Sequence, residues 1–396
     1  MITGTCGKTT TTRMLAHILS ESGHDVGYTS TDGVVINGKL ISEGDSSGYR
    51  GAHAVMSCRS ITAAVLETAR GGLLHSGLYI NRCNVAAMLN VGHEQIGIGG
   101  IETLEQMAAL KRKVIDAAQD MVVLNADDEQ CAALIGQYPA SRVILFSMKA
   151  NNLNVLDHLQ KKGVAYVLGN LNTVECLMRK DIESERSVIS VMDLASCVNG
   201  VFRQNIANAL AAASLAEGMK VPMQFVRSAL GSFKNSAEHS YGRLNIIDGY
   251  SQRILLDKGV SIPSARALME SIGRMKHSGR SVCIVETAGN RASWHYVGLG
   301  ELLGAHFDQF ICFDSETYRR GRAAGEIPGL LKDALVVAGV SSDCVMSVQG
   351  YDDAAKALAQ VAGQDDLMVI LTLDAKKFLD SFQKYFGMPN RMGAQT

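Results

Sequence analysis

The run Ile2-Thr3-Gly4-Thr5-Cys6-Gly7-Lys8-Thr9-Thr10-Thr11-Thr12 carries the densest chemistry in the sequence. A short apolar start meets a glycine-bracketed turn, then Lys-Thr, then a helical pattern. Glycines in such a turn let backbone N–H groups face an anion, and the helix N-terminus behind them adds a partial positive charge. Strand, loop and helix together make a phosphate cradle, in which Lys8 reaches the β- and γ-phosphates and the Thr9 hydroxyl holds Mg²⁺. The usual loop of this kind has a further glycine five residues before Gly7, where this chain has Ile2, so the loop is the shorter G-T-x-G-K-T-T form. Glu67 is the second chemical group. It closes the apolar run Ala63-Ala64-Val65-Leu66, and a carboxylate at the carboxyl end of a buried strand is placed to ligate nucleotide-bound Mg²⁺.

The elements that must hold these groups follow from periodicity. Met14, Leu15, Ile18 and Leu19 form one helical stripe after the loop, which Gly23 stops. Asp25–Ser30 reads as a strand, and residues 34–51 as a hairpin about Asn37-Gly38 followed by a polar loop. Strands Val85–Leu89, Met121–Leu124 and Val143–Phe146, with a helix from Thr103 to Ala118 that contains Lys111, continue a βα alternation and predict a mostly parallel sheet. Residues 150–200 read as an antiparallel edge. An Ala-rich helix, Gln204–Glu217, carries Asn205 and Asn208 near its start. The composition turns polar at Ser236–Tyr241. Beyond it lies a second series: strands Leu244–Ile247, Arg253–Leu256, Ser281–Glu286, Gln309–Phe313 and Leu367–Thr372, with helices Ser264–Met275, Tyr296–Leu303, Glu326–Val337, Asp352–Ala362 and Lys376–Phe386. The fold class is α/β, with a nucleotide-binding domain over residues 1–238 and a smaller, Rossmann-like domain over 239–396.

Composition narrows the class of function. At 396 residues with 47% hydrophobic content and a net charge of −1, a globular protein of two or three domains is expected. The near-balanced charge offers no electrostatic footprint for nucleic acid or an anionic membrane. The nine cysteines are scattered singly without a C-x-x-C pair, which reads as reduced thiols of a cytoplasmic protein. There is no signal-like start and no apolar run long enough to span a bilayer. Only Met1, Ile2 and Thr3 precede the loop, against a mean strand of about five or six residues. Either that strand is truncated or the chain is a piece of a longer one.

With these residues in place, GTCGKTT, LETARGG, NALAAA and GRLN appear in the order found in Mur-type ligases, and the whole resembles that family. TSTDG, VLETARGGLL, IGIGGIETLEQMAALK and RGRAAGE resemble more narrowly the carboxy-terminal ligase half of cyanophycin synthetases. The resemblance implies a central P-loop ATPase domain, a Rossmann-like carboxy-terminal domain and an active site in the cleft between them. It implies an ADP-forming acid–amino acid ligase that uses ATP and Mg²⁺ and acts through an acyl phosphate. On matching positions it assigns Gly4, Thr5, Gly7, Lys8, Thr9 and Thr10 to the triphosphate and Glu67 to Mg²⁺. Lys111 matches the lysine that Mur ligases often carry as a carbamate. Asn205 and Asn208 fall beside the adenine, Arg243 of GRLN closes on the phosphates, and Asp257 binds nucleotide from the same side. Lys8, Glu67, Lys111 and Arg243 are thus the catalytic set, and Thr9, Glu67 and Gln95 the metal set.

Four positions depart from the family pattern. Cys6 stands where asparagine is usual; it reads as a replacement for a small loop residue, with a redox-sensitive thiolate as the alternative. Glu94-Gln95-Ile96-Gly97 replaces Asp-His-Leu-Gly, which gives an amide for an imidazole metal ligand, and His93 could stand in for it. Asp257-Lys258-Gly259-Val260-Ser261-Ile262-Pro263 keeps the aspartate and loses the His-Asn pair. Gly289-Asn290-Arg291-Ala292-Ser293 loses the carboxylates of the Gly-Asp-Arg-Arg-Asp loop. Trp294 and His295 follow as amine-site or packing residues, and Arg319, Arg320 and Arg322 as an acidic-polymer site or an internally paired cluster. The expected substrates are an amino acid, arginine by resemblance, and a carboxylate or peptide acceptor. The amino-terminal and ATP-grasp regions of cyanophycin synthetases have no counterpart in these residues, so the expectation is either a separate ATP-grasp partner protein or action on a different acid; a homo-oligomer is left open. The competing expectation is a nucleotide-binding pseudoenzyme or regulatory subunit of a split synthetase.

Overall fold

A computed structural model describes residues 1–389 apart from Gln95 and Lys276. The chain forms two compact units, Met1–Lys234 and Asn235–Thr396. The first runs β1 (Ile2–Thr3), α1 (Lys8–Glu21), β2 (Val26–Ser30), β3 (Gly33–Ile36), β4 (Lys39–Glu43), α2 (Tyr49–Met56), β5 (Ala63–Leu66), α3 (Arg70–His75), β6 (Cys83–Met88), α4 (Leu104–Asp116), β7 (Ala118–Asn125), α5 (Glu129–Ala132), β8 (Val143–Ser147), α6 (Leu153–Gln160), β9 (Val164–Leu171), β10 (Val174–Lys180), β11 (Glu185–Ser190), α7 (Arg203–Gly218) and α8 (Met223–Ser232). One sheet has the order β1-β6-β7-β8-β9-β10-β11 and another β4-β3-β2-β5. β1 through β9 are parallel in the first, and β10 and β11 return antiparallel. A bridge between Ile2 and Glu67, with the Thr68 amide donating to the Ile2 carbonyl at 2.8 Å, brings β5 alongside β1.

Both faces of the long sheet are covered, which is why its central strands are apolar throughout instead of alternating. On β7, Val123 faces the core built with α1 and α7, while Val122 and Leu124 face the core built with α4. α7 is buried on nearly every side, and its alanines at 209, 211, 212, 213 and 216 let it lie close to α1 and the sheet. The hairpin expected at Asn37-Gly38 is present between β3 and β4, with both residues at positive φ (48° and 76°).

Several elements differ from expectation. The polar stretch after the hairpin contains α2, and the region read as antiparallel edge contains α6 ahead of β9. The helix carrying Lys111 ends at Asp116, and Ala118 already belongs to β7. α3 and α8 were not anticipated from periodicity.

The second unit runs α9 (Ala237–Ser240), β12 (Asn245–Ile247), β13 (Arg253–Asp257), α10 (Ile262–Ile272), β14 (Ser281–Glu286), α11 (Ser293–Gly304), β15 (Gln309–Asp314), α12 (Glu316–Arg319), α13 (Glu326–Val337), β16 (Val345–Gln349), α14 (Gly350–Val361), β17 (Leu367–Leu371) and α15 (Ala375–Phe386). Its sheet has the order β12-β13-β17-β14-β15-β16, parallel except for β12. β16, an edge strand with alternating burial, was missing from the expected series. Ala354, Leu358, Phe378 and Phe382 of α14 and α15 pack on one face of this sheet.

Candidate functional site

The loop joining β1 to α1 is held from β6. Asn90, just past the end of that strand, accepts the Thr5 and Cys6 amides on Oδ1 at 2.9 and 2.8 Å, and its Nδ2 donates to the Cys6 carbonyl at 3.2 Å. Thr5 Oγ1 accepts the Gly92 amide at 2.8 Å. Asn90 was not among the expected site residues. Its signal was positional: a short polar side chain at the carboxyl end of the strand that neighbours the loop strand. Gly4 sits tightly, since a Cβ there would lie 3.0 Å from Leu89 Cβ. Gly7 turns into the helix at φ +82°, where a Cβ would also fall 2.4 Å from Asn208 Oδ1. Among the described residues no side chain caps α1 from its N-cap position, Gly7, and no acidic residue occupies its first turn. The amides at the start of a helix need partners from outside it, and here an anion can supply them. Lys8 Nζ donates to the Thr5 carbonyl at 3.0 Å, so the ammonium lies over the loop.

Beside it, the buried Thr9 hydroxyl donates to Glu67 Oε2 at 2.8 Å and stands 3.2 Å from the Thr31 hydroxyl. The Thr31 amide approaches the same carboxylate oxygen at 3.3 Å. Glu67 is only 2% exposed. The parallel bridge of Glu67 to Ile2 is what carries it across to the loop. Two hydroxyls around one carboxylate are hard oxygen donors that suit Mg²⁺, an ion that keeps most of its shell as water and phosphate oxygen. Among the described residues no group of three or more His, Cys, Asp and Glu side chains could hold a metal ion. A cation here therefore needs phosphate oxygens as well. Thr10 is buried one position along α1, and Arg13 pairs with Asp32 at 2.8 Å, which ties the turn after β2 to the helix.

Lys111 of α4 is 2% exposed. A capping box between Thr103 and Gln106 fixes the start of its helix. Burial, reinforced by the charges of Lys8 and Arg70, pulls its ammonium down to about 7. Near neutral pH this amine is therefore partly neutral. Asn205 and Asn208 lie on α7, with Asn208 Nδ2 donating to Asn205 Oδ1 at 3.2 Å and Thr11 Oγ1 donating to Asn208 Oδ1 at 3.3 Å. Asn205 Nδ2 donates to the Ser196 carbonyl at 2.8 Å. The first unit thus brings Gly4, Thr5, Gly7, Lys8, Thr9, Thr10, Glu67, Lys111, Asn205 and Asn208 around one loop, together with Asn90 and Thr31.

Arg243 and Asp257 belong to the second unit, where they lie within electrostatic reach of each other. Burial raises the Asp257 carboxyl above its usual range, partly offset by Arg243 and by backbone donors. One of those donors is the Leu244 amide at 3.3 Å. Leu244 adopts φ +53°, and Asn245 Oδ1 accepts the Gly242 amide at 2.6 Å, so Gly242–Asn245 forms a closed turn.

Gln95, the amide proposed for the metal, lies outside the described residues. His295 is buried and hydrogen-bonded to Thr287 at 3.3 Å; burial pulls it down to about 4, so it packs as a neutral ring. Two arginines of the cluster are internally engaged. Arg319 pairs with the buried Asp314 at 2.9 Å, and Arg322 pairs with Glu326 at 2.5 Å and donates to the Gly289 carbonyl at 2.7 Å. No helix among the described residues is long and apolar enough to cross a membrane.

Residues 2–216 match the family described as the Mur ligase middle domain. The cyanophycin synthetase of Trichormus variabilis is 36% identical over 334 residues, which are 83% of this chain and 36% of that protein. This chain therefore spans little more than a third of the length of that relative. Among solved structures, MurF from Acinetobacter baumannii is similar with a TM-score of 0.68 at 15% identity, covering 97% of this chain and 76% of that one. The E. coli FolC complex with DHPP and ADP has a TM-score of 0.63 at 15% identity, covering 97% and 87%. At such identities these two likenesses concern the fold.

Proposed function

The chain belongs to the Mur ligase family, and we propose that it is an ATP- and Mg²⁺-dependent amide ligase joining an amino acid to a carboxylate acceptor through an acyl phosphate, with release of ADP. The observation that carries this reading is the joint placement of Lys8, Thr9 and Glu67 at the uncapped start of α1. The loop amides and α1 would hold the triphosphate, and Lys8 would swing from the Thr5 carbonyl to the β/γ-phosphates. Thr9 and Glu67 would hold Mg²⁺, which would neutralise charge on the transferring phosphoryl group. Transfer of that group requires positioning and electrostatic stabilisation more than covalent chemistry from the protein. Asn90 keeps the loop formed between turnovers. Lys111, partly neutral near pH 7, is a nucleophilic amine able to take up CO₂ as a carbamate, which would exchange a buried cation for an anion close to Lys8.

Similarity to proteins named cyanophycin synthetase favours arginine as the amine and an aspartate-rich peptide as the acceptor. The test follows oxygen. With acceptor carboxylate labelled in ¹⁸O, an acyl-phosphate route transfers one label to inorganic phosphate for each amide formed, and Lys8→Ala abolishes both products. Unlabelled phosphate alongside amide formation would refute the acyl phosphate. ATP binding that Lys8→Ala weakens, with no phosphate released by the unaltered protein, would instead support a regulatory subunit.

A further inference from the structure

Arg70 is the residue of the Glu67-Thr68-Ala69-Arg70-Gly71-Gly72 stretch that the nucleotide reading leaves without a task. It opens α3, three positions after Glu67, and is only 8% exposed. A cation at the start of a helix meets the positive end of the backbone dipole, so neither burial nor local electrostatics favours it there. Burial indeed lowers its affinity for the proton. Its Nη2 donates to the carbonyl of Ile98, and its Nε, fully enclosed, has no partner. Among the described residues no carboxylate pairs with it. The Ile98 carbonyl belongs to a glycine-rich turn closed by a bridge between Ile98 and Ile101, with Gly97, Gly99 and Gly100 all at positive φ. At Gly99 a Cβ would meet Leu74 at 2.8 Å and the Arg70 guanidinium at 3.4 Å, so the turn presses against this side chain. Arg70 is therefore held in place by a neutral acceptor that leaves its charge unmatched.

That charge belongs to the same cluster as the phosphate loop. Lys111 senses both Lys8 and Arg70. Lys8 and Arg70 thus both act on the buried Lys111, and Arg70 follows the buried carboxylate of Glu67 by three positions. Lys8 is committed to phosphate, and a planar guanidinium fork is matched to a carboxylate or phosphate in two-point contact.

We propose that Arg70 binds the reacting carboxylate of the acceptor and holds it beside Glu67 and the phosphate loop. This assignment rests on the ligase reading above. It gives the carboxylate a fixed place from which to attack the γ-phosphate, and it supplies a counter-charge that the chain itself does not provide.

The test is steady-state ADP release by the full chain and its Arg70→Lys and Arg70→Ala variants. Aspartate-rich peptide is varied at saturating Mg²⁺-ATP and arginine, then ATP at saturating peptide. Binding of a fluorescent ATP analogue and the thermal midpoint are followed in parallel. Loss of a charge-assisted two-point contact predicts a peptide KM raised about tenfold or more in Arg70→Lys, and further in Arg70→Ala. The ATP KM and analogue affinity stay within about twofold. Should Arg70→Ala fail to fold, Arg70→Lys carries the same criterion, because it keeps the charge and loses only the fork. A peptide KM unchanged in the folded variants overturns the proposal while leaving the ligase reading intact. An ATP KM that rises in step with the peptide KM also overturns it, by assigning Arg70 to nucleotide or to the fold. Tight ATP binding with no ADP released by the unaltered chain, for any peptide tried, overturns the ligase reading and this assignment with it.

Discussion

Gly7 is where the backbone of the phosphate loop and the asparagine pair of α7 meet, and replacing it with alanine separates two costs. The first lies in the backbone: at φ +82° an L-residue is strained by about 1–2 kcal/mol. The second is steric: the new Cβ would sit 2.4 Å from Asn208 Oδ1, well inside contact distance. Overpacking of this kind costs about 1–3 kcal/mol. Gly7→Ala should therefore lose about 2–5 kcal/mol, and the thermal midpoint should fall by on the order of 10 °C for a unit of this size. Asn208→Ala removes the clash but not the strain. In a double-mutant cycle, Gly7→Ala in an Asn208→Ala background should cost only the backbone share, a coupling of about 1–3 kcal/mol. Calorimetry or urea unfolding of the four proteins reads both numbers. If Gly7→Ala melts within a degree of the unaltered protein, or if its cost is the same in both backgrounds, the close approach of α7 to the loop is wrong.

Three further outcomes follow from the same geometry. Asn90→Ala removes the acceptor shared by the Thr5 and Cys6 amides, so ATP affinity should fall about tenfold or more while the midpoint changes little. Asn90→Asp keeps an oxygen acceptor but loses the Nδ2 donor to Cys6 and sets an anion beside the triphosphate, so it should lose at least as much, and unchanged affinity in either variant would count against the hydrogen-bond reading. Lys111 has a folded-state pKa near 7, below its unfolded value of 10.5, so between those values the unfolded chain binds the extra proton. The destabilising effect of burying this amine is thus full below pH 7 and is relieved as pH rises toward 10.5. Lys111→Met should be more stable than the unaltered chain at pH 6.5 by a margin that shrinks by pH 9.5. Parallel urea-midpoint profiles would contradict this. Thr9→Val, which deletes the hydroxyl 2.8 Å from Glu67, should raise the Mg²⁺ needed for half-maximal ATP turnover several-fold, and an unchanged requirement would place the metal elsewhere.

The elements legible in the sequence are those whose burial is one-sided or complete. β14 and α13 have the expected ends, Ser281–Glu286 and Glu326–Val337, because an unbroken apolar run and a twelve-residue amphipathic stretch have few other readings. α3 was hidden by its two glycines and its six-residue length. α2 was hidden by a polar flank with only Gly51 and Val55 buried. β16 alternates as an exposed edge, and α6 sits among turn residues although Asn152 caps it. At the site, Lys8, Thr9 and Glu67 announce themselves by type and position. Asn90 and Arg70 do not, because their roles come from the strand and turn they sit beside: β6 delivers the Asn90 amide to the loop, and the Ile98 carbonyl holds Arg70. Pairings of that kind are set by the register between β1, β5 and β6, which periodicity along a single strand does not encode.

The most direct test of the ligase reading is ADP release by the purified chain in Mg²⁺-ATP, with acceptor peptide and amino acid added singly and together. ADP formation that requires both, and that Lys8→Ala abolishes, is the predicted result. Tight ATP binding with no ADP under any pairing would contradict it.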